Sequence, residues 1–135
     1  MAAIEDGNLE KKMSNDVDYI DTSMLDNLSQ FLNAEKLQSL LKRYIVDSTR
    51  LLEQLRESLA NGNAEESRRH VHSLKSTSAN IGANPLAKIA AELEEFARLE
   101  QLEAVKNRLD ELLQVFESTA TSIGTLEVMQ QQQTG

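Results

Sequence analysis

The sequence predicts an all-α fold, an antiparallel up-and-down four-helix bundle with a short extra N-terminal helix. Three observations carry this prediction. Apolar residues recur at three- and four-residue steps through most of the chain, which is the period of an amphipathic helix. No segment carries the alternating signal of a half-buried strand. Breakers are scarce: there are one proline and five glycines in 135 residues, so each one marks a definite place where a helix can end.

The predicted organisation is a disordered N-terminal arm over 1–18, a helix bundle over 19–125 and a frayed polar tail over 126–135. The arm lacks apolar periodicity, and the tail ends in a glutamine run. Asp21 or Thr22 is placed to cap a short helix whose apolar residues are Met24, Leu25, Leu28, Phe31 and Leu32. A long helix follows from about Ala34 to Ala60, with a stripe of Leu37, Leu41, Tyr44, Ser48, Leu51, Leu55 and Leu59. Leu40, Ile45 and Leu52 widen that stripe. Asn61-Gly62-Asn63 ends this helix, because these residue types tolerate the left-handed conformation. Asn63 then caps the next helix, with Glu66 in the capping-box position. That helix runs to about Ile81 and stops at Gly82. Asn84 as N-cap and Pro85 at the first helical position start another, striped by Leu86, Ile89, Ala90, Leu93, Phe96 and Ala97. The last helix carries Leu102, Val105, Leu109, Leu112, Leu113 and Phe116 and continues toward Ile123. Periodicity alone would permit one helix from Leu86 to Phe116, roughly 45 Å long. Compactness favours a turn near Leu99-Glu100-Gln101.

Bulk properties exclude several functions. There is no cysteine, hence no disulfide, thiol catalysis or thiolate metal site. No stretch approaches the roughly 18 apolar residues that span a bilayer, and residues 1–17 hold no apolar signal-peptide core. A soluble, cytoplasmic protein is expected. The net charge of −8 and the absence of tryptophan argue against nucleic-acid binding. The charge is uneven, however. Glu65, Glu66, Arg68, Arg69 and Lys75 give the 61–82 segment a net +1 and leave −9 on the remainder. A locally basic patch on an acidic protein fits a partner that is locally acidic.

Function concentrates in the third helix. On a wheel of about 100° per residue, Val71, Leu74, Ser78 and Ile81 fall within about 80° of each other and face inward. His72 lies about 140° from the centre of that face, on the solvent side, with Arg68, Lys75, Ser76 and Ala79. Lys75 and Ser76 are its direct neighbours one turn on. Ser76 and Ala79 are small, so another surface can approach the imidazole. Histidine is a nucleophile near neutral pH. Phosphoryl transfer needs mainly positioning and charge stabilisation, which a rigid helix and Lys75 can supply. His70 falls about 60° from the core face, as a half-buried flank residue would. It cannot share a metal ion with His72, since residues two apart on a helix point about 160° from each other. No metal site is expected. Ser76, Thr77 and Ser78 have no base or oxyanion partner in view and read as packing residues.

The run His72-Ser73-Leu74-Lys75-Ser76-Thr77-Ser78-Ala79-Asn80-Ile81-Gly82-Ala83 resembles the signature of histidine-containing phosphotransfer (HPt) domains, the helix-bundle relays of multistep two-component signalling. The resemblance covers about Tyr19 to Ile123. It implies that His72 takes a phosphoryl group on Nε2 from a receiver-domain aspartate and passes it to another. The implied partners are the receiver domains of a hybrid sensor histidine kinase and of a response regulator. Lys75 matches the family lysine beside the phosphoryl group, and Gly82 the glycine closing the motif. Arg68, Arg69, Ser76, Ala79 and Gly82 make the expected partner surface. No ATP site, autokinase activity or cofactor is implied, and Mg²⁺ would come with the receiver. Three positions depart from the family pattern. Ser76 stands where glycine is usual, Val71 where alanine is usual, and the Leu99-Glu100-Gln101 turn has no glycine.

The competing reading is a non-catalytic helical adaptor, which has no need of small residues around an outward histidine. A kinase dimerisation domain would need a downstream ATP-binding domain and a dimer, whereas four helices in one chain make a monomer sufficient. The initial methionine and polar arm lean toward a free-standing protein.

Overall fold

The computed structural model describes residues 19–134, with side chains described as far as Leu126. The expected arm over 1–18 lies outside the described residues. Six helices occur among the rest: α1 (Thr22–Ser29), α2 (Ala34–Ala60), α3 (Ala64–Asn80), α4 (Asn84–Arg98), α5 (Leu102–Asn107) and α6 (Leu109–Thr134). No strand is present among the described residues.

Local sequence explains the helix starts. Asp21 caps α1, accepting a hydrogen bond from the Ser23 amide at 3.0 Å. Asn33 caps α2 through the Lys36 amide, and Asn63 caps α3 through the Glu66 amide. The expected capping box is only half formed. The Asn63 amide donates instead to the Ser58 carbonyl, and Glu66 turns its carboxylate toward Arg69 and His70. At α4 the expectation needs correcting: Ala83 holds the N-cap position without a side-chain bond, and Asn84 already lies inside the helix. What ties this turn to the start of α1 is the Asp21 amide, which donates to the Gly82 carbonyl at 2.8 Å.

Three helix ends close in one way. The α2, α3 and α4 chains each turn through a residue with positive φ: Gly62 at 68°, Gly82 at 84° and Glu100 at 60°. The residue after each returns its amide to a carbonyl five residues back: Asn63 to Ser58, Ala83 to Ser78 and Gln101 to Phe96. The turn at Leu99-Glu100-Gln101 is therefore real, and a glutamate does there what glycine does at the other two.

The last segment departs from expectation. It is two helices, interrupted at Arg108, whose amide bonds three residues back to Val105 rather than four. Neither glycine nor proline marks this break. Arg108 instead uses its side chain, bridging Glu92 of α4 at 2.6 Å and Glu111 of α6 at 3.0 Å. Beyond it, α6 runs to Thr134.

α3 packs most extensively on α4, next on α2; α6 lies against α4 and α2. The core is the predicted leucine-rich set, with Leu41, Val71, Leu86, Leu93, Val105 and Leu112 fully buried. Burial of this kind stabilises at about 25 cal/mol per Å² of apolar surface. Two expected core residues are exceptions: Leu40 lies on the exposed side of α2, and Phe31, after the end of α1, is 83 % exposed. Its amide bonds back to Leu28 in the closing turn. Between α2 and α3 the contact is made partly by hydroxyls. Tyr44 meets Ser78 at 2.7 Å, and Ser58 meets Ser67 at 2.8 Å, all four buried. Each of these four hydroxyls thus finds a partner across the seam, whereas the buried Ser48 Oγ of α2 has none among the described residues.

Candidate functional site

The face assignment on α3 holds. Val71, Leu74, Ser78 and Ile81 are buried, whereas the His72 side chain is 53 % exposed. Ser76 and Ala79 are exposed beside it, so nothing bulky on α3 covers the ring in the next turn. His70 is half-buried on the flank, 3.8 Å from Glu66. Arg69 is exposed and pairs with Glu66 at 3.5 Å; Arg68 is half-buried.

Gly82 does not belong to the exposed surface. It is buried under α1, its carbonyl accepting from the Asp21 amide at 2.8 Å. A Cβ there would stand 3.0 Å from Met24 Cβ and 3.1 Å from the Asp21 carbonyl oxygen. The motif's glycine therefore serves the turn and the docking of α1, with no part in a partner surface.

The structure adds a residue that sequence reasoning missed. Glu94 of α4 reaches across to α3, where Oε2 is 2.7 Å from His72 Nδ1 and Oε1 is 2.6 Å from Lys75 Nζ. One carboxylate, only 17 % exposed, thus holds both residues singled out on α3. Burial disfavours its ionisation, but the hydrogen bonds from Lys75 and His72, and their charge, outweigh burial and hold the carboxyl below the usual carboxylate range. Lys75 is accordingly not a free surface cation. Its position is set by Glu94.

This contact bears on which ring nitrogen carries the hydrogen. An ionised carboxylate can only accept hydrogen bonds, so Nδ1 carries the hydrogen. The lone pair of the neutral ring is then on Nε2, across the ring from Glu94. The arrangement presents an unprotonated ring nitrogen on a helix surface, oriented by a half-buried acid with an ammonium group alongside.

A signal for Glu94 did exist. His72 lies ten residues before Gly82, the centre of the tight α3–α4 turn, and Glu94 twelve residues after it. The turn sets the register in which α4 folds back along α3. Of the acids Glu92, Glu94 and Glu95, that register brings the middle one to the histidine.

The family model described as "Hpt domain" matches residues 39–122. Among solved structures, the crystal structure of histidine-containing phosphotransfer protein B (HptB) from Pseudomonas aeruginosa PAO1 is similar, with 27 % identity and a TM-score of 0.78. The match covers 82 % of this chain and 96 % of that one. No curated protein matches.

Proposed function

The chain belongs to the Hpt domain family and serves histidine phosphotransfer in a two-component phosphorelay, and from that premise we propose that His72 is its phosphoacceptor. The observation that carries this reading is the pairing of Nδ1 with Glu94, which leaves the exposed ring to react through Nε2. Hpt proteins work with receiver domains. Here the phosphoryl group passes from a receiver aspartate of a hybrid sensor kinase to His72 and on to a response-regulator aspartate. Lys75 supplies positive charge to the phosphoryl oxygens, and its ion pair with Glu94 keeps it within reach. Ser76 and Ala79 leave room for the receiver, and Arg68 and Arg69 face its acidic cleft. The chain itself needs no metal, cofactor or ATP site, because the receiver brings Mg²⁺. It acts in the cytoplasm as a monomeric carrier with no autokinase activity.

We read the helices as an antiparallel up-and-down four-helix bundle, with α2, α3, α4 and the interrupted α5–α6 pair as its posts and α1 as the extra helix. The tight turns at Gly62, Gly82 and Glu100 support this, as does the packing of α6 on both α2 and α4.

The test is incubation with a phosphorylated receiver domain and Mg²⁺. Wild type and His70→Gln should gain acid-labile label, and His72→Gln none, with helix content equal by circular dichroism. Equal loss in the two histidine variants would refute the assignment.

A further inference from the structure

The contact between Glu94 and His72 bears on the phosphorylated state as well as the free one. A role for Glu94 in that state presupposes the phosphotransfer reading above. A neutral ring with its hydrogen on Nδ1 attacks phosphorus through the Nε2 lone pair. The N–P bond forms as the P–O bond to the donor aspartate breaks, and that carboxylate leaves with the electron pair. The ring has lost no proton, so the product is an N-phosphorylated imidazolium, a cation still bearing its Nδ1 hydrogen. On transfer to the next aspartate, the N–P bond breaks, its electron pair returns to Nε2, and the neutral ring is restored. Neither step requires a proton to arrive or leave, provided the Nδ1 hydrogen stays in place. If it were lost, the leaving group would be an imidazole anion, which departs far less readily than a neutral imidazole.

We infer that Glu94 holds the proton on Nδ1 of His72 throughout the transfer cycle, so that the phosphorylated ring remains a cation and yields its phosphoryl group readily. Two observations support this. Oε2 lies on Nδ1 at 2.7 Å, a charge-assisted contact that strengthens when the ring becomes a cation. The carboxylate is half-buried between α3 and α4 and is held on its other oxygen by Lys75, so it stays in place beside the exposed ring.

Few other charges compete there. On α3 they are Lys75, which shares Glu94, and Arg68 one turn before the histidine. On α4, Glu95 stands next to Glu94 and is already bound by Arg98. α2 meets α3 through buried Tyr44, Ser58, Ser67 and Ser78, whose hydroxyls pair with one another. The charges that α5 and α6 bring to α4 gather at Arg108, Glu92 and Glu111. Glu94 is thus a positioning residue, acting through the ring, that sets how long the phosphoryl group stays. A carrier built this way is a labile relay rather than a store.

The experiment labels the chain with phosphoramidate, a small donor that needs no receiver, using His72→Gln as the background. Loss of phosphohistidine is followed by ³¹P NMR from mildly acidic to alkaline pH in wild type and Glu94→Gln. Glu94→Gln should hold its label about tenfold longer at neutral pH, the size expected from removing one neighbouring charge. Lengthening of the lifetime with rising pH should begin at lower pH in the variant. When mixed with a receiver, the variant should retain a larger share of label at equilibrium by a similar factor. A purely structural role would shorten the lifetime or leave its pH course unchanged, and either result overturns the inference. ¹⁵N NMR of phosphorylated wild type tests it without a variant: a His72 ring lacking its Nδ1 hydrogen at neutral pH also overturns it. A wild type that takes no label on His72 from phosphoramidate or receiver overturns the phosphotransfer reading itself, and this inference with it.

Discussion

Glu92 and Glu94 stand two residues apart on α4 and serve different ends. Glu92 reaches Arg108, where the last segment breaks between α5 and α6, and Glu111 completes that cluster. Glu94 reaches His72 and Lys75 on α3. Both carboxylates bridge helices at hydrogen-bonding distance. The partner makes the difference. Arg108 is held even above its ordinary value by its bonds to Glu111 and Glu92, so it stays charged and the cluster can only fasten. The His72 ring keeps a second nitrogen that no side chain among the described residues binds, so under the proposed role the same kind of contact there bears on reactivity. An ion pair becomes chemical when one member can change state.

Exchanging the roles would break this comparison most sharply. Glu94→Gln is expected to alter label retention about tenfold, as the cation argument requires. Glu92→Gln is expected to leave acceptance, lifetime and onward transfer unchanged within error, read in the same ³¹P and receiver assays. Equal effects would mean that the charge of α4 as a whole matters and its two sites do not. Next in size, Arg108→Ala should lower stability by about 1 kcal/mol, since it removes two partly exposed pairs at once. Urea unfolding would measure this, with no change in phosphoryl acceptance by the folded fraction.

Acidification should separate the members of the His72 site. Glu94 titrates below the usual carboxylate range in the folded chain, so it binds its proton more weakly there than in the unfolded chain. Its contribution to stability is therefore complete at neutral pH and down to the ordinary carboxylate value, near 4.3, where its loss begins. It is lost as the pH falls further, through the lower folded value. The Tm difference between wild type and Glu94→Gln should accordingly be constant near neutrality and close only in the more acidic range. A difference that closed well above the carboxylate range would remove Glu94 as its source.

Much of this was legible in the sequence because it is local. Periodicity identified the buried faces of α2, α3 and α4, and with them the outward side of His72. Glycines and asparagines marked two of the turns. What was missed depends on distance along the chain. The partnership of His72 with Glu94 requires the register of two helices, and the break at Arg108 falls where its side chain meets Glu92, sixteen residues earlier. Gly82 looked like part of a partner surface because its motif neighbours are exposed, and only the docking of α1 buries it. Phe31 fitted the three-four spacing but falls after the helix has ended, where spacing no longer assigns a face.

A third glutamate sharpens the comparison, because its carboxylate has no part in its role. Glu100 takes φ 60° at the end of α4, where Gly62 and Gly82 serve at the equivalent ends of α2 and α3. A side chain with a Cβ is strained there by about 1 kcal/mol or more. Glycine removes that strain but makes the unfolded chain more flexible, which offsets part of the gain. Glu100→Gly is thus expected to stabilise the fold by a few tenths of a kcal/mol, read as a small rise in Tm, with label retention on His72 unchanged. A loss of stability would mean that the glutamate side chain contributes more than its backbone costs. Glu100 would then join Glu92 among the residues that fasten the helices together, and the turn would owe its shape to a side chain rather than to the amide that Gln101 returns to Phe96.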